Sequence, residues 1–204
     1  MNENRQIVFA TANAHKLGEI REILSGSGWQ IRTMREAGVD IDIEENGATF
    51  DENAMIKARA VAAALPQHER GAIVMADDSG LEIDALGGEP GVYSARYMGE
   101  DTPYTVKNQA LIDRLDGVPG EARTARFVCA VAAVLPDGRS LASRGTIEGK
   151  IGYEARGENG FGYDPIFYLP DFSTTTAQLD PEEKNRISHR GKAIRAMAEL
   201  LVDI

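Results

Sequence analysis

The chain has one cysteine in 204 residues, Cys129. A lone thiol forms no internal disulfide, and no ligand spacing for a zinc site exists. Cys129 lies within the apolar stretch Phe127-Val128-Cys129-Ala130-Val131 and reads as a small core residue. No run of ~18 apolar residues is present, so no membrane span is expected. Met1-Asn2-Glu3-Asn4-Arg5 lacks an apolar signal region, and a soluble cytoplasmic protein is expected. Basic residues are in short supply: 22 Lys and Arg stand against 32 Asp and Glu, for a formal net charge of -10. A protein that grips nucleic acid by its backbone usually presents a basic face, so no nucleic-acid partner is expected. A small polyphosphate needs only a few local cations and stays open as a ligand. There is no internal repeat, low-complexity tract or linker, and no Gly-x-x-x-x-Gly-Lys-Ser/Thr phosphate loop. What the chain does have is 43% hydrophobic residues, enough to bury a substantial core.

Gln6 to Ala10 reads as a short buried strand. Asn13 then caps a helix with Leu17, Ile20, Ile23 and Leu24 on one face, ended by Gly26 and Gly28. Trp29 to Thr33 is a second strand, and this succession opens an α/β fold. After an acidic, irregular stretch over 34–48, Thr49-Phe50-Asp51-Glu52 reads as a capping box for a helix reaching about Leu65. Ala72 to Ala76 is an apolar strand leading into Asp77 and Asp78, with a turn at Gly80 before Leu81 to Leu86 resumes the sheet. Thr102 to Asp116 forms a helix with Val106, Leu111 and Leu115 inward. Ala122 to Leu135 and Ser140 to Ile151 form a hairpin turning at Pro136-Asp137-Gly138. Residues 152 to 181 read as mostly loop, and Ser188 caps a last helix with Ile194, Met197, Ala198 and Leu201 on its apolar face. Strands and helices without regular alternation predict an α/β fold with a mixed sheet, compatible with two lobes around a cleft.

Several clusters carry chemistry. Thr11-Ala12-Asn13-Ala14-His15-Lys16 lies where a strand gives way to a helix, a place that favours an anion, although an ordinary N-cap with an exposed lysine is the plainer reading of the segment taken alone. Asn53 and Lys57 are four apart and share a helix face. Asp77-Asp78-Ser79-Gly80 follows a wholly apolar strand; carboxylates there seek cations or metal, while the composition also suits a plain turn. Glu44 and Glu45 stand in the acidic stretch and could complete a Mg²⁺ shell, which takes one or two carboxylates plus water and phosphate. Phe161-Gly162-Tyr163-Asp164, Lys184 and His189-Arg190 add aromatic faces, one carboxylate and cationic donors. Either aromatic could stack on a base or pack in the core. The combination points to an enzyme acting on a nucleoside triphosphate.

These segments resemble the inosine triphosphate pyrophosphatase family, also called noncanonical purine NTP or dITP/XTP pyrophosphatases. Thr11 to Lys16 is similar to the family's Thr-x-Asn-x-x-Lys element, and Phe50-x-Glu52-Asn53-Ala54-x-x-Lys57-Ala58 to its second helix. Ala76-Asp77-Asp78-Ser79-Gly80-Leu81, Gly91 to Tyr97, Gly160 to Pro165 and Ser188-His189-Arg190-Gly191 complete the likeness, in family order, from residue 9 to about 195. Ala12 stands where many members have glycine.

The resemblance implies a single domain over residues 1–204, with an elongated central mixed sheet flanked by helices and two lobes around an active-site cleft. It implies a Mg²⁺-dependent homodimer that cuts ITP, dITP and XTP between the α- and β-phosphates, cleansing the nucleotide pool. By the same resemblance Thr11, Ala12, Asn13, Ala14, His15 and Lys16 form a phosphate-binding turn. Asp78 is the catalytic acid–base and a metal ligand, with Glu45 or Glu44 as a second metal carboxylate. Asn53, Lys57, Ser79, Phe161, Gly162, Tyr163, Asp164, Lys184, His189 and Arg190 contact the substrate. Three rival readings are a related pyrophosphatase for modified pyrimidine nucleotides, a nucleotide sensor without catalysis, and a plain interaction domain.

Overall fold

The opening strand, helix and strand form where the sequence places them. In the computed structural model, which describes residues 5–11, 13–171 and 173–202, β1 (Gln6–Phe9) buries Ile7, Val8 and Phe9 almost completely. α1 (Ala14–Ile23) starts at Asn13, whose Oδ1 accepts the N–H groups of His15 (3.0 Å) and Lys16 (3.1 Å). Those bonds satisfy two of the amides that every helix start leaves open. Gly26 and Gly28 follow with φ of 77° and 81°, a conformation that suits glycine, and β2 (Gln30–Thr33) begins after them.

α2 (Phe50–Ala64) begins at Thr49, whose Oγ1 accepts the Glu52 N–H at 3.2 Å. The expected reciprocal bond falls one residue earlier: Glu52 Oε2 accepts the Ala48 N–H at 2.6 Å. β3 (Ile73–Ile83) differs from the sequence reading. It is one unbroken strand through Asp77, Asp78, Ser79 and Gly80, and no turn interrupts it at Gly80. Its neighbours in the sheet are β1 and the later strand β4 (Thr124–Val134), so ladder hydrogen bonding overrides the local turn preference of Asp, Ser and Gly.

α3 (Tyr104–Arg114) buries Leu111, and Leu115 follows it into the core, but Val106 is 48% exposed, contrary to expectation. Residues on one helix face are three or four apart, and Val106 is five from Leu111. β4 and β5 (Ser140–Ile151) are adjacent in the sheet and joined through residues 135–139, a connection short enough only for an antiparallel hairpin. The segment read as loop contains β6 (Phe167–Tyr168), paired antiparallel to β5, and α4 (Pro181–Ile187) starts directly after Asp180. α4 carries a readable start signal: Asp180 as cap, Pro181 at the first position and Glu182-Glu183 in the first turn. Ser188, in extended backbone, separates α4 from α5 (His189–Leu200).

The sheet has six strands in the order β2-β1-β3-β4-β5-β6. β1 runs parallel to both β2 and β3, whereas β6 is antiparallel to β5, so the sheet is mixed. The chain divides into two compact units. The first comprises Met1–Asp78, Cys129–Gly145 and Arg190–Ile204, and the second Ser79–Val128 and Thr146–His189. The first has its own core of Ile7, Phe9, Ile20, Met75, Val131 and Met197, with Ile194 and Leu201 from the face expected for the last helix. Cys129 is fully buried in it, as its sequence context suggested. The second unit packs Leu81, Leu111, Phe127, Ile147, Tyr163 and Phe167. Each core buries several large apolar side chains, each worth ~1.5–3 kcal/mol.

No helix among the described residues is long and apolar enough to cross a membrane.

Candidate active site

In the first unit, β3 delivers Asp77 and Asp78 in succession, and both are buried. Side chains alternate along a strand, so the two carboxylates face different partners. Asp77 Oδ2 is 3.1 Å from Lys16 Nζ and 3.4 Å from Arg190 Nε, and the Cys129 thiol donates to it at 4.0 Å. Arg190 also pairs with Glu19, so its guanidinium, 2% exposed, bridges two acids. Burial opposes that charge, but Asp77 and Glu19 outweigh it and raise the Arg190 pKa.

Asp78 faces α2. Its Oδ2 accepts from Asn53 Nδ2 at 3.1 Å, and its Oδ1 is 3.6 Å from Lys57 Nζ. Lys57 Nζ also donates to Glu45 Oε2 at 2.8 Å. Burial is the largest influence on Asp78 and raises its pKa, against the pull of Lys57, Lys16 and the Asn53 amide. Lys57 feels burial too, yet Asp78, Asp77 and Glu45 together raise its pKa. The two shifts point opposite ways for the ion pair. The charged ammonium is the firmer of the two states, because three carboxylates hold it.

Glu45 and Asp78, from different elements, thus converge on one cationic position. Oxygen donors of this kind fit Mg²⁺, which takes one or two carboxylates and fills its shell with water and substrate oxygens. Among the described residues no group of three or more His, Cys, Asp or Glu could hold a metal ion by itself. Glu44 is exposed to solvent, and Glu45 is the member of the pair that meets Lys57.

The turn before α1 is occupied by its own cap. Thr11 Oγ1 accepts the Asn13 N–H at 3.1 Å, and Asn13, Ala14 and His15 are exposed. Ala12 lies outside the described residues. Lys16 turns inward to Asp77 from the same turn.

The second unit holds the remaining predicted residues. Asp164 and Lys184 form a buried pair at 2.7 Å, with side chains 4% and 6% exposed. Asp164 also accepts the Phe161 N–H (2.9 Å) and the Thr176 hydroxyl (2.8 Å). Lys184 Nζ sits 5.2 Å from the Phe161 ring centroid, within cation–π range. Gly160, with φ of 73°, must be glycine here, since a Cβ would come within 2.3 Å of Asp164 Oδ2. The Gly162 carbonyl accepts from Asn108 Nδ2 at 3.2 Å. The two aromatics separate. Phe161 is half-buried, whereas Tyr163 lies in the core and donates its hydroxyl to the Ser94 carbonyl at 2.7 Å. His189 stacks on Phe127, with centroids 4.9 Å apart and planes at 19°. Ser79 is half-buried in β3 directly after Asp78.

Three residues with clear positions in these clusters escaped the sequence reading: Glu19, Asn108 and Thr176. Only Glu19 left a signal, since it lies three after Lys16 on the same helix face. The others act through contacts distant in sequence.

The model of the Ham1 family matches residues 7–200. The dITP/XTP pyrophosphatase of Exiguobacterium sibiricum is 45% identical over 196 residues, covering 96% of this chain and 96% of that protein. The dITP/XTP pyrophosphatase of Bacillus subtilis is 46% identical over 197 residues, with 97% of each chain covered. Among solved structures, a HAM1 protein from Coxiella burnetii superposes with a TM-score of 0.85 at 42% identity, over 98% of this chain and 100% of that one.

Proposed function

The chain belongs to the Ham1 family, and from that membership we propose that it hydrolyses noncanonical purine nucleoside triphosphates (ITP, dITP and XTP) to the monophosphate and pyrophosphate. The observation that carries the proposal is the setting of Asp78: a buried carboxylate held between an amide and an ammonium, with Glu45 on that same ammonium and Lys16 on the neighbouring Asp77. Hydrolysis of a phosphoanhydride requires negative charge to be neutralised, water to be oriented and a proton to be accepted. Lys16 and Lys57 serve the first need, Asp78 the other two. Water adds to the α-phosphorus, the bond from that phosphorus to the bridging oxygen breaks, and the proton passes toward Asp78. Asp78 and Glu45 would hold Mg²⁺, which when bound supplies Lewis acidity to phosphate oxygens.

Base recognition falls to residues of the second unit. Phe161, half-buried where Tyr163 is in the core, would be the aromatic that stacks on a base, an interaction worth ~1–3 kcal/mol. Hypoxanthine and xanthine present a 6-oxo acceptor where adenine presents an amino donor. N–H donors such as those of His189 or the 162–163 backbone would serve the first and repel the second. A site built on such bonds rejects an analogue that leaves them unmet by up to ~10⁴-fold. The family resemblance also supports a homodimer in the cytoplasm, with residues 1–204 acting as one catalytic domain.

Products test the reaction itself. With ITP and Mg²⁺, ³¹P NMR should show IMP and pyrophosphate rising together from the first turnover, and chelation by EDTA should stop both until Mg²⁺ is restored. Orthophosphate with IDP as first products, or release indifferent to EDTA, would refute the proposed bond cleavage or the metal requirement respectively.

A further inference from the structure

Asn53 was expected to touch the substrate, but its amide is spent at both ends inside the protein. The side chain is 0% exposed. Oδ1 accepts the Gly47 N–H at 2.8 Å, and Nδ2 donates to Asp78 Oδ2 at 3.1 Å. The assignment of oxygen and nitrogen is forced by chemistry, since a backbone N–H needs an acceptor and a carboxylate needs a donor. One side chain on α2 therefore ties the loop that carries Glu45 to the strand that carries Asp78. The loop is fitted to the amide closely: a Cβ on Gly47 would lie 2.7 Å from Asn53 Oδ1 and 2.7 Å from Glu52 Cβ. Glu52 Oε2 fixes the next loop amide, that of Ala48, at 2.6 Å.

From this geometry we infer that Asn53 is a positioning residue: it fixes the Asp78 carboxylate, and through Gly47 the approach of the Glu45 loop, without contacting substrate. The inference rests on the proposed role of Asp78 for its catalytic consequence, but not for the contact itself. Of the two carboxylates that converge on Lys57, each is then held by a second device besides the lysine. Glutamine is one methylene too long to bridge the same two atoms, and aspartate keeps the acceptor for Gly47 while setting a carboxylate against Asp78.

The test uses the full chain in four forms: wild type, Asn53→Asp, the swap Asn53→Asp with Asp78→Asn, and Gly47→Ala. Asn53→Asp should lower the melting temperature, and the swap should recover most of that loss, since the amide and carboxylate then face each other in reverse. This arm reads the contact without any catalysis, so it tests the contact even if no triphosphate proves to be a substrate. In the kinetic arm, Asn53→Asp and Gly47→Ala should each lower kcat for ITP by ~10²-fold, the scale of a displaced catalytic group, with KM changed less than about threefold. Gly47→Ala keeps the amide and moves it, so it covers the case in which Asn53→Asp fails to fold. A swap that melts no higher than Asn53→Asp would overturn the inference. A raised KM with unchanged kcat would overturn it too, and return Asn53 to direct substrate binding.

Discussion

Asp78→Asn should remove turnover of ITP by ~10²–10⁴-fold while the protein stays folded, the range set by losing a positioned proton acceptor. The substitution keeps the shape of the side chain and takes away its charge and basicity. It also sets an amide against the Asn53 amide and the Lys57 ammonium, all of them donors unless the new side chain turns its oxygen toward one. The fold survives because Lys57 retains Glu45 at 2.8 Å and the strand's backbone pairing does not depend on the side chain. Pyrophosphate release and a circular-dichroism melt on the same preparation would measure both halves of the prediction. Near-normal kcat with a normal melt would remove Asp78 from the chemistry.

Asp164→Ala should be the most destabilising single change among the predicted site residues, by ~3–5 kcal/mol, the cost of breaking a buried ion pair from one side. The carboxylate accepts from Lys184 Nζ, the Thr176 hydroxyl and the Phe161 amide, and it is 3% exposed. Its loss leaves an ammonium buried beside Phe161 and frees the segment that Gly160 brings against it. Asp164→Asn keeps one acceptor oxygen, able to serve the Phe161 N–H and Lys184, and should lie between alanine and wild type. Lys184→Met in the Asp164→Ala background should recover part of the loss, because two apolar partners avoid the stranded charge. Urea midpoints for the four proteins give the answer, and a wild-type midpoint for Asp164→Ala would contradict it.

Local signals in the sequence were reliable guides where local physics decides the structure. Asn13 before Leu17 and Ile20, Thr49 before Glu52, and the paired glycines 26 and 28 each specify a helix end within a few residues. α4 was missed because seven residues show no periodicity, although its start signal was present. The Asp77 to Gly80 segment misled for a different reason. Its residues favour a turn in isolation, and only strands distant in sequence, pairing on both sides, hold it extended. The same separation explains the site. Which residue types gather was legible, but what each one grips was not. Arg190 meets Asp77 across 113 positions and Glu19 across 171, and Asn53 meets Asp78 across 25. A basic residue in a first helical turn looks outward-facing until those acids are placed around it.

Selectivity for hypoxanthine and xanthine over adenine and pyrimidine bases is the central claim, and kcat/KM for pyrophosphate release across ITP, dITP, XTP, GTP, ATP and dTTP tests it most directly. ITP, dITP and XTP should exceed ATP and dTTP by orders of magnitude in the presence of Mg²⁺. Comparable values for ATP, a preference for dTTP, or no release from any of the six would contradict it.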